Sequence, residues 1–219
     1  MWTKKGRTYT MSKTILVSAT PIEHGGLKEI NGLPIFQVGI GKINSAMNMV
    51  DLIHKHKPDS VINFGSCGNL KNHKVGEVIK VGVTYNNIDV RPFAPYGCTP
   101  GNIPCGLKLS DSGIDCFTTD QIYDNTRSDY AKMYLEMIDR CDIVDMECYS
   151  LAYVCNQYEI NFESYKWVSD DGNIDSWEEN AAIGFENFKK IFISWKKHFG
   201  YLETVSAGII KSEKSIKTL

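Results

Sequence analysis

The chain has 219 residues, of which 42% are hydrophobic, and a formal net charge of -2. This length and composition suffice for one α/β domain with a full hydrophobic core and argue against a mainly disordered protein. The small negative charge leaves no basic surplus to neutralise phosphates, so neither a nucleic acid nor a membrane is an expected partner.

The N-terminal segment lacks the apolar core of a secretory signal, and no apolar run approaches the roughly 20 residues of a membrane-spanning helix. We therefore expect a cytoplasmic protein. The cysteines are odd in number and scattered, without C-x-x-C or metal-like spacing, which predicts reduced thiols and no metal site. They are Cys67, Cys98, Cys105, Cys116, Cys141, Cys148 and Cys155.

Residues 1–10 are polar and basic, and Met11 is an alternative start, so residues 1–10 are interpreted as an N-terminal extension. The first predicted strand is Thr14–Ala19. A second strand, Ile35–Val38, leads through a glycine-containing turn into a helix from about Ile43 to Lys57.

The next apolar run, Ser60–Phe64, is followed by Gly65–Gly68, which predicts a buried strand that ends in a tight glycine-bearing turn. Glu77–Val83 predicts another strand. Residues 86–104 are rich in proline, glycine, asparagine and aromatic residues. A loop of this length is typical of functional segments, so we expect it to line a site or an interface.

The second half of the chain also alternates strands with helices. Its predicted elements are a strand at Ile114–Thr118, a helix at Ser128–Ile138, a strand end at Asp142–Asp145, a helix at Glu147–Gln157, a strand at Ser164–Val168 and an amphipathic helix at Trp177–His198. This alternation predicts a single α/β domain, residues 11–200, with helices flanking a mixed central sheet in three layers, and a C-terminal tail at residues 201–219.

Three carboxylates follow predicted strands, where ligands of such sheets bind: Glu23, Glu147 and Asp170. Cleavage of a purine N-glycosidic bond needs an acid for the leaving base, an activated water and groups that hold the ribose hydroxyls. Each residue also fits a simpler structural role. Asp170 can cap a turn, Glu23 fits an exposed glutamate, and Glu147 suits the positive end of the following helix.

Together and in this order, the motifs resemble the purine nucleoside phosphorylase and nucleosidase superfamily, particularly its 5'-methylthioadenosine/S-adenosylhomocysteine nucleosidase branch. The matching segments are Val38–Ile43 (VGIGKI), Lys57–Leu70 (KPDSVINFGSCGNL), Val75–Ile79 (VGEVI), Val144–Cys155 (VDMECYSLAYVC) and Val168–Asp170 (VSD). The resemblance spans about residues 14–198. It implies a nucleoside phosphorylase-like fold and release of adenine, without a cofactor, from 5'-methylthioadenosine, S-adenosylhomocysteine or 5'-deoxyadenosine, with water as co-substrate.

The resemblance implies catalytic roles for two residues. Asp170, oriented by Ser169, protonates or hydrogen-bonds N7 of the purine, and Glu23 activates water. Met146 and Glu147 grip the ribose, with Glu147 accepting the 2'- and 3'-hydroxyls.

The remaining residues that the resemblance implies surround the substrate. Ser66 helps to hold the ribose and the water, while Ile122 and Tyr123 contact the purine. The loop at residues 86–104 corresponds to a segment that reaches the 5' pocket of a neighbouring subunit, which implies a homodimer. Its candidate contacts to a 5'-alkylthio group are Phe93, Tyr96 and Pro100, although each also fits a loop residue that packs within its own chain.

The motifs favour hydrolysis over phosphorolysis. A phosphorylase holds a phosphate dianion with arginine forks or several cations. Where the phosphorylases carry an arginine before the Gly-Ser-Cys-Gly segment, this chain has Asn63 and Phe64, and residues 20–26 contain no arginine. The alternatives are another purine nucleosidase of the aminofutalosine or AMP type, a phosphorylase, and a catalytically silent nucleoside-binding protein.

The chain also departs from the branch. The segment 24–38 is short, so the first helix and the following hairpin are expected to be trimmed. Asp145 stands where a glutamate is usual, and Lys166 stands where an arginine often steadies Glu147. Because lysine lacks the planar fork of arginine, we expect weaker support of Glu147. Asp171, next to the predicted acid, is expected to raise the pKa of its neighbour.

Overall fold

The structure is a computed structural model that describes residues 13–101, 103–173, 175 and 177–194. The strands are β1 Thr14–Ser18, β2 Glu29–Ile30, β3 Leu33–Gln37, β4 Ser60–Asn69, β5 Val78–Asn86, β6 Gly106–Lys108, β7 Ile114–Thr118, β8 Ile143–Asp145 and β9 Asn161–Asp170. The α-helices are α1 Lys42–His56, α2 Lys132–Arg140, α3 Cys148–Gln157 and α4, residues 177–194. The predictions for residues 1–10, for Met11, for the last turn of the final helix and for the tail at 201–219 lie outside the described residues.

The strands form one mixed sheet, as predicted. Its order is β2-β3-β1-β4-β8-β7-β5-β6, and β9 is bonded to both β4 and β5. β4 runs parallel to β1 and β9 but antiparallel to β8. The pairings therefore close β4, β8, β7, β5 and β9 into a ring, and Gly68 of β4 pairs with both Val144 of β8 and Asp170 of β9.

Helices cover both faces of the sheet because the strands carry apolar residues on both sides. Ile15 and Val17 of β1 pack with α1 and α3, whereas Leu16 between them points to the opposite cluster. That second cluster joins β4 and β9 to α4, and its fully buried rings are Phe64, Trp167 and Phe188. This arrangement confirms the predicted three layers.

The segment 24–38 confirms that the first helix is short. A single 3-10 turn, Ile22–His24, follows β1, and the hairpin of β2 and β3 comes directly after it. The turn nevertheless buries Glu23, which is 4% exposed, so Glu23 is not an ordinary surface glutamate.

The predicted turn at Gly65–Gly68 is wrong, because β4 continues in extended conformation to Asn69. Gly65 and Gly68 do not have positive φ angles. A larger residue at either position would clash with a neighbouring side chain. A Cβ on Gly65 would lie 2.8 Å from Glu23 Oε1, and one on Gly68 would lie 2.9 Å from Val144 Cγ1. The glycines therefore allow side chains to approach the strand.

The prediction that all cysteines are reduced is also wrong. Cys98 and Cys105 form a disulfide across the loop between β5 and β6, where the chain folds back to bring their Cα atoms within 4.3 Å. Their separation of seven residues in an irregular loop gave no spacing signal. The other five cysteines are free and buried. None of the helices among the described residues combines the length and hydrophobicity that a membrane span requires.

The contact between α4 and the sheet allows a stability test. A Cβ on Gly184 of α4 would lie 1.9 Å from Cδ1 of the fully buried Trp167. We expect Gly184→Ala to lower the free energy of unfolding by about 1–3 kcal/mol, although alanine is the better helix former by about 1 kcal/mol. Urea denaturation measures the change, with Ala182→Ser on the exposed face of α4 as the control. A more stable Gly184→Ala variant would contradict this packing.

Candidate active site

A cavity of about 310 Å³ lies where β1, β4, β8 and β9 end. Eight residues that the sequence motifs singled out line it: Glu23, Ser66, Ile122, Tyr123, Met146, Glu147, Ser169 and Asp170. Strand ends deliver most of them, as expected for a ligand site in an α/β sheet. The fold therefore brings together residues that are as much as 147 positions apart in the chain.

The Glu23 carboxylate is held by four hydrogen-bond donors. Oε2 accepts the backbone N–H groups of Ala19 at 2.9 Å and Thr20 at 3.2 Å, directly after β1. Oε1 accepts both the N–H and the hydroxyl of Ser66 at 2.8 Å. The two carboxylate oxygens carry enough lone pairs to accept all four bonds.

Trp177, at the start of α4, is a site residue that the sequence motifs missed. Its Nε1 donates to Ser66 Oγ at 3.0 Å, and the ring lines the cavity. Because an indole N–H can only donate, the Ser66 hydroxyl must direct its own hydrogen elsewhere, here to Glu23. The sequence pattern placed Trp177 only at the start of the predicted amphipathic helix.

Asp170, the last residue of β9, lines the same cavity as Glu23. Its Oδ2 accepts the Ser169 hydroxyl at 2.8 Å, and its Oδ1 accepts the N–H of Gly172 at 3.0 Å. Burial raises the pKa of Asp170, whereas these two hydrogen bonds oppose the rise. Asp171 also raises that pKa, in the direction that the sequence predicted, but burial is the main cause.

Glu147 is buried at the start of α3, beside an ion pair. Its Oε1 accepts the N–H of Gly41 at 3.0 Å, while the ammonium of Lys166 lies 3.9 Å from its Oε2. The same ammonium lies only 2.7 Å from Asp145 Oδ2. Burial raises the pKa of Glu147 to about 8, with Lys166 opposing the rise and Asp145 adding to it. The lysine thus serves Asp145 more closely than Glu147.

The segment after β7 forms a further wall of the cavity. Gln121, Ile122 and Tyr123 line it, and the ring of Tyr123 stacks on Tyr130 with 6.1 Å between centroids. Ile40, before α1, lines the cavity too, although the motif that contains it indicated no role for its side chain. Ile122 is 55% exposed and Ile40 50% exposed, so this side of the cavity is open.

Three predicted residues do not line this cavity. Phe93 is 82% exposed and Pro100 is also exposed. The Tyr96 hydroxyl donates to Asn87 Oδ1, and its ring packs beside the cluster around Phe117. Any contact of these residues with a ligand would therefore have to be made in a second copy of the chain.

No lysine, arginine or histidine is among the described residues that line the cavity. Asn63, in place of the phosphorylase arginine, is buried: its Nδ2 donates to Val17 O at 3.3 Å and its Oδ1 accepts the Ser164 hydroxyl at 2.8 Å. Arg91 and Arg127 form exposed ion pairs with their own loops, to Asp89 and Asp129. The cavity lining therefore offers no cation to a phosphate group.

One group of potential metal-ligand atoms converges within 4.8 Å among the described residues, from Cys116, Asp145 and Cys148. All three residues are buried. Asp145 already accepts the Lys166 ammonium at 2.7 Å, so a metal ion would have to displace that cation. The donor set fits an ion pair better than a metal site.

Comparison with known proteins gives consistent results. A model of the phosphorylase superfamily matches residues 21–90 and 115–197. The 5'-methylthioadenosine/S-adenosylhomocysteine nucleosidase of Bacillus cereus (strain G9842) is 31% identical over 179 residues, covering 70% of this chain and 77% of the relative.

Two solved structures are similar in fold. The 5'-methylthioadenosine/S-adenosylhomocysteine nucleosidase of Neisseria meningitidis, in complex with methylthio-immucillin-A, has a TM-score of 0.67 at 21% identity, covering 83% of this chain and 99% of that chain. The futalosine hydrolase of Helicobacter pylori has a TM-score of 0.70 at 16% identity, covering 84% and 98%. At these identities the likeness establishes the fold.

The four donors around Glu23 allow a test that needs no ligand. In Glu23→Gln the side-chain NH₂ must face two of those donors, which leaves buried N–H or O–H groups unpaired. We expect the free energy of unfolding to fall by about 1–3 kcal/mol. Chemical denaturation measures it, and Glu29→Gln, at an exposed glutamate, is the matched control. Equal stabilities of the two variants would reject the hydrogen-bonding pattern described for Glu23.

Proposed function

We propose a hydrolytic function for this chain because it belongs to the phosphorylase superfamily and, within it, to the 5'-methylthioadenosine/S-adenosylhomocysteine nucleosidases. The proposed reaction is hydrolysis of the N-glycosidic bond of a 5'-substituted adenosine. The products are adenine and the 5'-substituted ribose. The observation that carries the proposal is that Asp170 and Glu23 line one cavity, with a raised pKa at Asp170 and a fully hydrogen-bonded carboxylate at Glu23.

We assign Asp170 as the acid. Its raised pKa favours the protonated carboxyl, which can donate to N7 of adenine as the bond between C1' and N9 breaks. The Ser169 hydroxyl donates to Oδ2 of Asp170. The described partner of the other oxygen, Oδ1, is the N–H of Gly172, so Oδ1 is the oxygen that we assign to the proton transfer. Proton transfer to N7 makes adenine a neutral leaving group.

We assign Glu23 as the residue that takes a proton from water while the water oxygen bonds to C1'. Three of its four donors are backbone N–H groups, which cannot turn away. The fourth is the Ser66 hydroxyl, which can rotate and free a lone pair of Oε1 for the water. This explains why Ser66 suits a position next to both the water and the ribose.

The substrate pocket follows from the same cavity. Glu147 and Met146 are proposed to hold the ribose, and Ile122 and Tyr123 to contact the purine. Because no cation is found among the described residues that line the cavity, phosphorolysis and a 5'-phosphate substrate such as AMP are disfavoured. Futalosine-type nucleosides remain the second candidate, since a futalosine hydrolase shares the fold with a TM-score of 0.70.

The acid assignment is tested by following adenine release from 5'-methylthioadenosine, with and without phosphate. We expect hydrolysis that is independent of phosphate, and a rate for Asp170→Asn that is lower by about two to three orders of magnitude. Since only the protonated acid is active, kcat should fall as the pH rises above the raised pKa of Asp170.

Asp171→Asn is the matched control for that experiment, because Asp171 is exposed and does not line the cavity. It should keep near-normal turnover. Normal turnover in Asp170→Asn would reject the acid assignment. Release of ribose 1-phosphate would show a phosphorylase, and tight adenine binding without hydrolysis would show a silent binding protein.

We infer that the protein acts as a homodimer. Ile43 and Met47 lie one turn apart on α1 and are 79% and 63% exposed, and the cavity-lining Ile40 immediately precedes this helix. Exposed apolar side chains in a row mark an interaction surface. A second copy on this surface would cover the open side of the cavity and would bring the exposed Phe93 loop of one protomer toward the other.

The dimer is tested by Ile43→Glu, which places a charge on that surface without removing a contact within the protomer. We expect a shift from dimer to monomer in sedimentation velocity, together with a raised KM for 5'-methylthioadenosine. Lys55→Glu, on an exposed position near the other end of α1, should remain dimeric. A monomeric wild-type protein with full activity would contradict the inference.

A further inference from the structure

The ion pair behind the cavity is asymmetric. Lys166 Nζ lies 2.7 Å from Asp145 Oδ2 but 3.9 Å from Glu147 Oε2. Asp145 cannot turn away from Lys166, because it also accepts the Thr118 hydroxyl at 2.6 Å and the N–H of Cys148 at 2.8 Å. An ammonium lacks the planar fork of a guanidinium, and here it lies within hydrogen-bond distance of Asp145 but not of Glu147.

Glu147 accepts the fewest described hydrogen bonds of the carboxyl groups in the cavity. Its hydrogen-bond donor among the described residues is the N–H of Gly41, whereas Glu23 has four donors. Its side chain is buried, and burial of a carboxylate favours the neutral form unless a cation offsets it; here the ammonium of Lys166 lies 3.9 Å away and offsets burial only in part. The pKa of Glu147 is raised to about 8, in agreement with this geometry.

The other charged groups around Glu147 do not compensate for this deficit. Asp145 on β8 and Glu23 on the 3-10 turn are negative and raise its pKa, and Asp170 at the end of β9 lines the same cavity. Lys42 on α1 directs its ammonium to Asn86, the carbonyl of Asn87 and Asp120. Cys148 on α3 is a buried thiol. Among the described residues, the cation that forms an ion pair with Glu147 is therefore Lys166, which lies closer to Asp145.

We propose that Glu147 carries a proton in the empty site and releases it when a ribose diol binds, so that nucleoside binding is linked to the loss of a proton. The inference rests on the proposed function, in which Glu147 accepts the 2'- and 3'-hydroxyls. Those two O–H groups add donors to the one described for Glu147, the N–H of Gly41. They stabilise the ionised carboxylate, and the displaced proton passes to the solvent.

Lys166 is in this scheme a positioning residue. Its distance to Asp145 decides how much positive charge Glu147 receives, and it does not line the cavity itself. An arginine at this position could hold both carboxylates with its planar fork and ionise Glu147 before the substrate arrives. With lysine at this position, Glu147 ionises only when the ribose diol binds.

The experiment is isothermal titration calorimetry of the full-length protein in buffers with different ionisation enthalpies. The ligand is the 7-deaza analogue of 5'-methylthioadenosine, in which carbon replaces N7, so that Asp170 cannot protonate the base and the ligand is not cleaved. At pH 7 we expect release of close to one proton per ligand. Kd should fall by up to about tenfold per pH unit until the pH reaches the pKa of Glu147 and should then level off.

The matched control ligand is the 2',3'-dideoxy form of the same analogue, which lacks the diol and should bind without proton release. Lys166→Arg, checked for folding by circular dichroism, should release less than half as many protons as the wild type. If this variant does not fold, the comparison of the two ligands on the wild-type protein decides the question.

Two outcomes would overturn the inference while leaving the proposed function intact, provided that 5'-methylthioadenosine is hydrolysed. One is binding of the 7-deaza analogue with an enthalpy that does not depend on the buffer. The other is equal proton release with the riboside and its dideoxy form. Failure of the folded protein both to bind the 7-deaza analogue and to hydrolyse 5'-methylthioadenosine would overturn both proposals together.

Discussion

The site depends on one constraint, the close approach of two carboxylates to the part of β4 that contains Gly65 and Gly68. Gly65 leaves room for Glu23, whose Oε1 would lie 2.8 Å from any Cβ at that position. Gly68 leaves room for Val144 and for Asp170, whose Oδ1 would lie 3.4 Å from a Cβ there. Because β4 pairs with β1, β8 and β9, the ends of all four strands meet at this stretch. A glycine-poor strand would separate the proposed acid from the proposed base.

Concentrating acidic groups in a buried cavity is unfavourable unless each of them is stabilised. The fold supplies the acidic groups with different numbers of stabilising partners. Glu23 receives four donors and Asp145 receives the Lys166 ammonium, whereas Asp170 and Glu147 are left with raised pKa values. The two weakly supported groups are those that we propose to donate to the leaving base and to gain donors from the ribose. The two carboxyl groups with fewer hydrogen-bond donors are thus the ones that we propose to contact the nucleoside, whereas Glu23, with four donors, acts on the water.

The sequence predicted this architecture where the signal was local. Alternating strands and helices predicted the layers, and the position of Asp170 after an apolar strand predicted a carboxylate at a strand end, which the structure confirms. The glycines of β4 misled the prediction, because glycine permits both a turn and a close approach, and only the tertiary structure distinguishes them. Trp177 was missed for a similar reason, since its hydrogen bond joins it to Ser66, 111 positions away. The disulfide between Cys98 and Cys105 depends on the path of an irregular loop, which residue patterns do not specify.

The 5' group is the part of the proposed substrate whose predicted contacts, Phe93, Tyr96 and Pro100, do not line the cavity of their own protomer. The groups proposed for the base, the ribose and the water all lie on elements of the central sheet or directly after its strands. Phe93 and Pro100 are exposed and do not line the cavity of their own chain, and the exposed Ile40 and Ile122 leave one side of that cavity open. If a second copy covers this side, bond cleavage depends on a single chain, whereas the 5' group meets a surface built by two. Substitutions in the loop could then change the preferred 5' group without disturbing Asp170 or Glu23, because no described contact of Phe93 or Pro100 reaches either carboxylate.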